Sequence, residues 1–258
     1  MALPPAPQAQ ELQAAPHWRT VECISDLHLQ ASVATTWQAW KRYLAETQAD
    51  AIFLLGDLFE AWVGDDVAEV SGFEQDCAGI LRDAAQERPL FFLAGNRDFL
   101  VGPGLAASVG LTILQDPTVF GFGPQRWLLS HGDALCVGDT EYLAFRAQVR
   151  DPEWQRAFLA QPLQRRQAIA RAMRAESEEM KRSGREYADV DTAAALSWLD
   201  AADATVLVHG HTHRPGEYAL GAKHLRIVLT DWDADAVPPR METLRLHVDG
   251  HAERVPLA

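Results

Sequence analysis

The chain has 258 residues, 48% hydrophobic and 23% charged, an ordinary globular composition that can bury a sizeable core. Its formal net charge of -13 argues against general nucleic-acid binding, because that affinity comes from Lys and Arg that neutralise phosphates. Three widely separated cysteines with no Cys-x-x-Cys pattern favour a reducing compartment over a disulfide framework.

Residues 1–18 are rich in Ala, Pro and Gln, and we expect a disordered tail there. This stretch lacks the basic start and apolar block of a secretory signal. No apolar run approaches the ~18 residues that a membrane-spanning helix needs. These features predict a protein that stays in the cytoplasm.

Short apolar strands then alternate with helices, the latter predicted at about 33–46 and 69–86. This order is typical of a mainly parallel sheet covered by helices, with ligands bound beyond the carboxyl ends of the strands. Two later segments, at 225–230 and 242–248, are expected to be antiparallel strands that close a second sheet. The other predicted strands lie at residues 20–24, 51–55, 90–94, 111–123, 126–130 and 205–208.

Residues 139–200 contain no strand-like run, and three or four helices are predicted there, the clearest from Pro162 to Arg182. We interpret this block as an insertion that caps the site. Its apolar side chains are expected mainly to pack the cap helices together. They are Tyr142, Phe145, Trp154, Phe158, Leu159 and Leu163. Its arginines either solvate the helices or, as we favour, face anionic lipid. They are Arg146, Arg150, Arg156, Arg165, Arg166, Arg171 and Arg174.

Polar side chains that can bind metal follow five of the predicted strands. They are Asp26, His28, Asp57, Asn96, His131, His211 and His213. Nitrogen and oxygen ligands at one sheet edge suit two divalent ions such as Mn²⁺, Fe²⁺ or Zn²⁺, and the lack of cysteine disfavours a structural zinc. A carboxylate is the natural group to bridge two ions. His209 points away from His211 in an extended segment, so we predict a structural role for it.

The pattern Asp-x-His, Gly-Asp, Gly-Asn, His and Gly-His-Thr-His, spread over residues 26–213, resembles the calcineurin-like metallophosphoesterase superfamily. The resemblance implies an α/β fold, a four-layer α/β-β/α sandwich over residues 19–258 with a helical cap insertion at about 139–200. It also implies two metal ions, which we expect to be Mn²⁺. The first would be held by Asp26, His28, Asp57 and His213, and the second by Asp57, Asn96, His131 and His211.

The residue after Asn96 narrows the range of phosphate esters that the protein could hydrolyse. Many superfamily members have a His there that assists the leaving group, but this chain has Arg97. Arginine cannot serve as a general acid at neutral pH, yet it binds phosphate through its planar fork. A phosphate monoester leaving group, with a second pKa near ~6, needs no proton. Arg97 therefore favours a pyrophosphate over an alkyl ester, and a surface salt bridge is its alternative role.

Stretches 56–66, 95–99, 131–133 and 209–215 resemble the UDP-2,3-diacylglucosamine diphosphatase family of lipid A biosynthesis. This resemblance implies hydrolysis of UDP-2,3-diacylglucosamine to UMP and 2,3-diacylglucosamine 1-phosphate (lipid X), by attack of a metal-bridging hydroxide on the α-phosphorus. The implied catalytic residues are Asn96, Arg97, His131 and His211. The implied substrate contacts are Asn96, Arg97, Asp139, Ser177, Lys181 and His211, with Arg182 as the alternative to Lys181.

A diacylated substrate resides in the membrane, so we expect a peripheral protein on the cytoplasmic face of the inner membrane, with a monomer favoured. The rival enzymatic hypothesis is a metallophosphoesterase that acts on a soluble nucleotide, a dinucleoside polyphosphate or a cyclic nucleotide. The long insertion and Arg97 count against it. A scaffold protein that has lost catalysis is disfavoured, because such proteins lose ligands and all seven are present here.

Overall fold

A computed structural model describes residues 5–182 and 188–257, which form two six-stranded sheets with flanking helices. The strands are β1 (Gln10–Gln13), β2 (Thr20–Ile24), β3 (Ala51–Leu54), β4 (Leu90–Leu93), β5 (Leu111–Leu114), β6 (Thr118–Phe122), β7 (Gln125–Leu129), β8 (Val206–His209), β9 (Gly216–Leu220), β10 (His224–Val228), β11 (Glu242–His247) and β12 (Ala252–Pro256). The helices are α1 (Ala34–Glu46), α2 (Phe73–Glu87), α3 (Pro103–Val109), α4 (Thr140–Val149), α5 (Pro152–Leu159), α6 (Leu163–Arg182) and α7 (Thr192–Ala201). Short 3₁₀ turns occupy Asp65–Glu69 and Asp133–Leu135.

The two sheets face each other across an apolar core. One sheet has the order β12-β11-β2-β3-β4-β5 and the other β1-β6-β7-β8-β10-β9. Side chains from both sheets, among them Phe53, Phe120 and Val208, form one buried cluster between them. Phe53 also stacks on Phe91 with ring centroids 4.7 Å apart. Each such fully buried side chain contributes about 1.5–3 kcal/mol, which explains why β3 and β4 are apolar on both faces.

Helices cover the outer faces of both sheets. Helices α1, α2 and α3 bury residues such as Trp40, Leu81 and Leu105 against the strands β2–β5. Helix α7 buries Trp198 and Leu199 against the second sheet. The layers are therefore helix, sheet, sheet and helix, which confirms the four-layer sandwich predicted from the sequence.

The N-terminal segment differs from the prediction of a disordered tail over residues 1–18. Residues 10–13 form β1, which pairs in parallel with β6 in the register Gln10 to Thr118. The pair is reinforced at the side chains, where Arg126 lies 2.9 Å from Glu11. The polar composition hid this strand, because an edge strand is held by its backbone hydrogen bonds and needs few apolar side chains.

The two C-terminal strands predicted to close one second sheet lie in different sheets. Strand β10 pairs in parallel with β8 and antiparallel with β9, whereas β11 pairs antiparallel with β2 and β12. That part of the prediction is wrong, because an apolar pattern indicates a strand without naming its partner. The consequence for the site is that β8 and β10 end side by side, on the sheet opposite β2, β3 and β4.

Helices α4, α5 and α6 lie within the predicted insertion at about 139–200, and α7 of the same stretch belongs to the outer layer of the sandwich. We call the helices α4–α6 the cap. Among the described residues, none of the helices combines the length and apolar character that crossing a bilayer requires.

Candidate metal centre

The backbone turns sharply where the predicted ligands follow their strands. Asp26, His28, Asp57, His211 and His213 all have positive φ, between 49° and 66°. Residues other than Gly rarely adopt this backbone conformation, because it costs free energy, and such residues cluster at functional sites. The turns aim five of the seven predicted ligands inward from three strand ends.

The first group of ligands contains Asp26, His28 and His213. The Nε2 atoms of the two imidazoles lie 3.2 Å apart, and Asp26 Oδ1 lies 3.4 Å from His213 Nε2 and 3.9 Å from His28 Nε2. Asp57 Oδ2 reaches the same place, 4.0 Å from His28 Nε2. Two nitrogens and two carboxylate oxygens therefore converge on one point.

The second group contains Asn96, His131 and His211. Asn96 Oδ1 lies 3.0 Å from His131 Nε2 and 2.9 Å from His211 Nδ1, and the two imidazole centroids are 5.2 Å apart. Asp57 Oδ1 is 3.7 Å from His131 Nε2. Asp57 thus presents one oxygen to each group, so the structure brings all seven predicted ligands together with Asp57 in the middle.

Buried hydrogen bonds fix the carboxylates in place. Ser25 Oγ and the backbone N–H of His211 donate to Asp26, and the backbone N–H of Arg97 donates to Asp57. Two glycines pass so close that an added Cβ would collide with these carboxylates: Gly95 with Asp57 and Gly210 with Asp26. The ligand positions are therefore built into the backbone, as preorganised sites require.

A second buried carboxylate supports the loop after β3. Asp98 is fully buried and accepts backbone N–H groups from Leu58 at 2.7 Å and from Gly95 at 2.8 Å, with longer bonds from Asp57 and Phe59. Burial, together with the charge of Asp57, raises the pKa of Asp98 to about 6. Asp98 thus ties the loop that carries Asp57 to the loop that carries Asn96.

The centre attracts positive charge. Burial alone would lower the pKa of His131, but the negative charges of Asp57 and Asp26 raise it to about 9. For Asp26 the two effects have the opposite signs. Burial alone would raise the pKa of this carboxyl group, but its hydrogen bond with His213 and the charges of the nearby imidazoles hold that pKa below its usual range. Burial, and then the charge of His131, lowers the pKa of His211 to about 4.

The donor set fits divalent metal ions. His131 Nδ1 lies 3.0 Å from the carbonyl oxygen of Leu55 and donates its proton there, so Nε2, which faces the oxygens of Asn96 and Asp57, is the nitrogen that would bind a cation in place of a proton. Lone pairs that converge in a buried site need a cation between them. Two carboxylate and imidazole clusters, Asp26 with His28 and His213, and Asp26 with Asp57 and His131, have ligand atoms within 4.8 Å of one another.

Comparison with known proteins agrees with this geometry. The calcineurin-like phosphoesterase family model matches residues 20–215. A UDP-2,3-diacylglucosamine hydrolase of Chromohalobacter salexigens is 40% identical over 86% of this chain and 96% of that protein. Proteins of the same name from Bordetella pertussis (42% identical, 88% of this chain and 91% of that protein) and Chromobacterium violaceum (43%, 82% and 90%) are similarly close.

The chain belongs to the UDP-2,3-diacylglucosamine hydrolase family of calcineurin-like phosphoesterases. It is a metal-dependent hydrolase, as the sequence predicted. Among the predicted substrate residues of this phosphoesterase, the structure describes the side chains of Arg97 and Asp139 as well as those of Asn96 and His211. The guanidinium of Arg97 makes no hydrogen bond or ion pair within the described ranges, although its backbone binds Asp57. Asp139 caps α4 by accepting the N–H of Tyr142 at 3.1 Å.

Two further predicted contacts lie on the second half of α6. The helix continues through positions 177 and 181, but the side chains of Ser177, Lys181 and Arg182 lie outside the described residues. Arg174 precedes them on the same helix and ion-pairs with Glu60, beside His28. Helix α6 therefore passes close to the first group of ligands.

Four cap arginines bind acidic residues of the core, which corrects our interpretation that they face lipid. Arg146 Nε donates to Asp133 at 2.8 Å, and Arg150 donates to the carbonyl of Gly95 at 3.0 Å and lies 3.9 Å from Asp133. Arg166 is nearly inaccessible and pairs with Asp66, and Arg174 pairs with Glu60. The sequence showed a positive block but could not show that its partners lie 13 to 114 residues away in the chain; the partner residues are Glu60, Asp66 and Asp133.

The apolar cap residues divide into packed and exposed ones. Phe158 is buried and stacks on Trp154 with ring centroids 5.0 Å apart, and Trp154 and Leu163 pack against the main core. Leu159 and Met173 are 41% and 37% exposed. The expectation that most of these side chains pack the cap is thus met at Trp154, Phe158 and Leu163.

Sequence reasoning missed the residues that support the ligands. Asp98, Glu60 and Asp133 follow Asn96, Asp57 and His131 by two or three residues, and Asp231 lies 3.8 Å from His213 Nδ1. Acidic residues so near a metal-binding motif were a visible indication. His209, expected to be structural, is fully buried with Nδ1 2.8 Å from the carbonyl of Gly210, and burial lowers its pKa to about 3.

Proposed function

We propose that this protein hydrolyses the pyrophosphate bond of UDP-2,3-diacylglucosamine to give UMP and 2,3-diacylglucosamine 1-phosphate. The proposal is supported by the seven predicted ligands that converge around Asp57, and by Arg97, whose guanidinium makes no hydrogen bond or ion pair among the described residues. The relatives that are 40–43% identical carry the name of this activity. They match more than 80% of the chain, including the cap.

Two Mn²⁺ ions are the proposed cofactors. Asp26, His28, Asp57 and His213 would hold the first ion, and Asp57, Asn96, His131 and His211 the second. The division is supported by the two groups of donors and by the separate oxygens that Asp57 presents to them. When bound, such ions lower the pKa of water and neutralise phosphate charge.

The side chains of the chain itself would orient the substrate. Arg97, next to Asn96, is placed to bind the non-bridging phosphate oxygens through its fork and to stabilise their charge as the P–O bond breaks. Asn96 and His211 would contact the same phosphate. The leaving sugar phosphate carries its own negative charge, so no acid has to protonate it, which suits a position where other superfamily members have His.

The cap would bind the rest of the substrate. Asp139, at the start of α4, and positions 177 and 181, three and seven residues beyond Arg174 on α6, are the proposed polar contacts. This helical spacing follows one face of α6. The exposed Leu159 and Met173 would offer apolar area to the acyl chains. A lipid substrate of this kind would bring the protein, as a monomer, to the cytoplasmic face of the inner membrane.

The test is a substrate panel with purified protein. We expect UMP release from UDP-2,3-diacylglucosamine with Mn²⁺ present and none after chelation. Dinucleoside polyphosphates and cyclic nucleotides serve as competing substrates for the rival hypothesis. Turnover of the soluble nucleotides alone would contradict the proposal, and the absence of any hydrolysis with two bound ions would return the protein to the scaffold hypothesis.

A further inference from the structure

Glu60 lies between a metal-ligand candidate and the cap. Its Oε2 is 2.9 Å from His28 Nδ1, and its other carboxylate oxygen ion-pairs with the guanidinium of Arg174 on α6. Arg174 also donates to the backbone carbonyl of Glu60. The Glu60 side chain is only 14% exposed, so this contact is shielded from solvent on most sides.

The backbone holds Glu60 over His28. The N–H of His28 donates to Asp57 O at 3.0 Å, the N–H of Leu29 donates to Leu58 O at 2.9 Å, and the N–H of Glu60 donates to Leu29 O at 3.1 Å. Three backbone hydrogen bonds therefore join the loop after β3 to the loop after β2. Because both ends of the contact are fixed in this way, the carboxylate stays at the Nδ1 edge of the imidazole.

A carboxylate at Nδ1 has a defined effect on the opposite nitrogen. At 2.9 Å its negative charge favours the tautomer with the proton on Nδ1 and leaves the Nε2 lone pair free for a metal, although the two groups are not aligned as a hydrogen bond in this structure. His28 Nε2 points at Asp26, Asp57 and His213, the convergent donors of the first group.

The second group is supported differently. His131 has only a backbone carbonyl, that of Leu55, at its Nδ1 atom. In the first group, by contrast, His213 has a more distant version of the arrangement at His28. Its Nδ1 lies 3.8 Å from Asp231 Oδ2, and the guanidinium of Arg240 lies 2.9 Å from the same oxygen. Each imidazole of the first group therefore has a carboxylate near its Nδ1 atom, and each of these carboxylates is paired with an arginine.

We infer that Glu60 is a positioning residue that orients His28 for the first ion, and that Arg174 couples this orientation to the docking of the cap. The inference rests on the proposed function for the identity of His28 as a ligand. Glu60 touches neither substrate nor reacting atoms in this account. Its effect passes through the imidazole of His28, and docking of α6 thereby becomes part of the metal centre.

The experiment measures Mn²⁺ binding to the full-length protein, stripped and refilled, by electron paramagnetic resonance of the free ion. Glu60→Gln, nearly isosteric but neutral, should weaken one of the two ions about 10- to 100-fold and leave the other unchanged. Asp66→Asn is the matched control, because Asp66 also pairs with a cap arginine but contacts no ligand. It should bind both ions like the wild type.

Wild-type affinity for both ions in Glu60→Gln would overturn the inference, and so would an equal loss in Asp66→Asn. Arg174→Met should weaken the same ion in the same direction, and its failure to do so would overturn the coupling to the cap. If Glu60→Gln unfolds at a lower temperature than the wild type in the presence of chelator, the Mn²⁺ affinity of Arg174→Met alone decides whether the inference stands. Failure of the proposed function would look different, because the wild type would bind two ions without releasing UMP.

Discussion

The metal centre and the cap are built by opposite means. The ligands stand on strand ends whose backbone is held at positive φ, with glycines in contact behind the carboxylates and Asp98 tying two loops together. The cap helices α4–α6 are instead fastened to the core by arginines that reach acidic side chains. One part is fixed by the main chain and the other by side-chain ion pairs.

The difference in construction suits the different tasks of the two parts, which are metal binding in the centre and substrate binding at the cap. A centre that holds two cations a few ångströms apart, as we propose, needs donors that cannot move, because small misplacements cost large factors in rate. A cap that admits a lipid needs contacts that can open and close again. Changes at the strand ends should therefore alter metal binding and turnover, whereas changes at a cap ion pair remote from the ligands, such as Arg166 with Asp66, should alter substrate binding with the metals retained.

Asp57→Ala should have the largest effect, because Asp57 offers one oxygen to each group of ligands. We expect the loss of both ions and a fall in UMP release of more than about 10³-fold, since losing even one preorganised donor costs about 10²–10³-fold. Metal analysis of the purified variant, beside the rate, checks this. Retention of one ion would show that Asp57 does not bridge.

Arg97→Ala should remove transition-state stabilisation without removing metal. We expect two bound ions and a fall in kcat of about 10²–10³-fold, with Arg97→Lys partly restoring it as a point charge without the fork. Metal content measured with steady-state kinetics separates the two effects. Metal loss equal to that of Asp57→Ala would show that Arg97 belongs to the scaffold of the centre.

Gly95→Ala tests the close approach behind Asp57, because a Cβ there collides with the Asp57 carboxylate. We expect an unfolding free energy about 1–3 kcal/mol lower, as for other overpacked sites, together with weaker Mn²⁺ binding. Gly79→Ala on α2 is the control, since its Cβ meets nothing within 4 Å, and it should gain about 0.5–1 kcal/mol. Denaturant titration checks both, and wild-type metal affinity in Gly95→Ala would contradict the account.

Asp66→Asn should have the smallest effect on chemistry. Arg166 would keep its bonds to the carbonyls of Val63 and Gln161 but lose its charged partner. We expect a higher KM for the lipid substrate, by roughly 10-fold if about 1.4 kcal/mol of docking free energy is lost, with kcat and both metals unchanged. Limited proteolysis of the cap reports the loosening directly. A fall in kcat with unchanged KM would erase the distinction between cap and centre.

Local patterns in the sequence predicted the parallel sheet and the convergence of the ligands, and the resemblance to the calcineurin-like superfamily supplied the four-layer sandwich. Apolar runs mark β2, β3, β4 and β8, and the carboxyl ends of parallel strands meet at one edge. Pairing between distant segments was harder. The polar stretch 10–13 gave no indication of its backbone partner in β6, and β10 and β11 looked alike although they belong to different sheets.

Side-chain partners were harder still. The arginines of the cap form a visible positive block, but only the fold shows that Arg166 reaches Asp66 and Arg174 reaches Glu60. The same holds for Asp98, whose hydrogen bonds are all to backbone groups of neighbouring loops. Long-range ion pairs and buried acceptors have no periodicity, so a single sequence cannot reveal them.

Hydrolysis of UDP-2,3-diacylglucosamine in ¹⁸O-labelled water tests the central claim most directly. Attack on the α-phosphorus puts the new oxygen on UMP, so mass spectrometry should find the label in UMP and none in 2,3-diacylglucosamine 1-phosphate. Label in the sugar phosphate instead would contradict the account, because it would mean that the centre directs water to the other phosphorus.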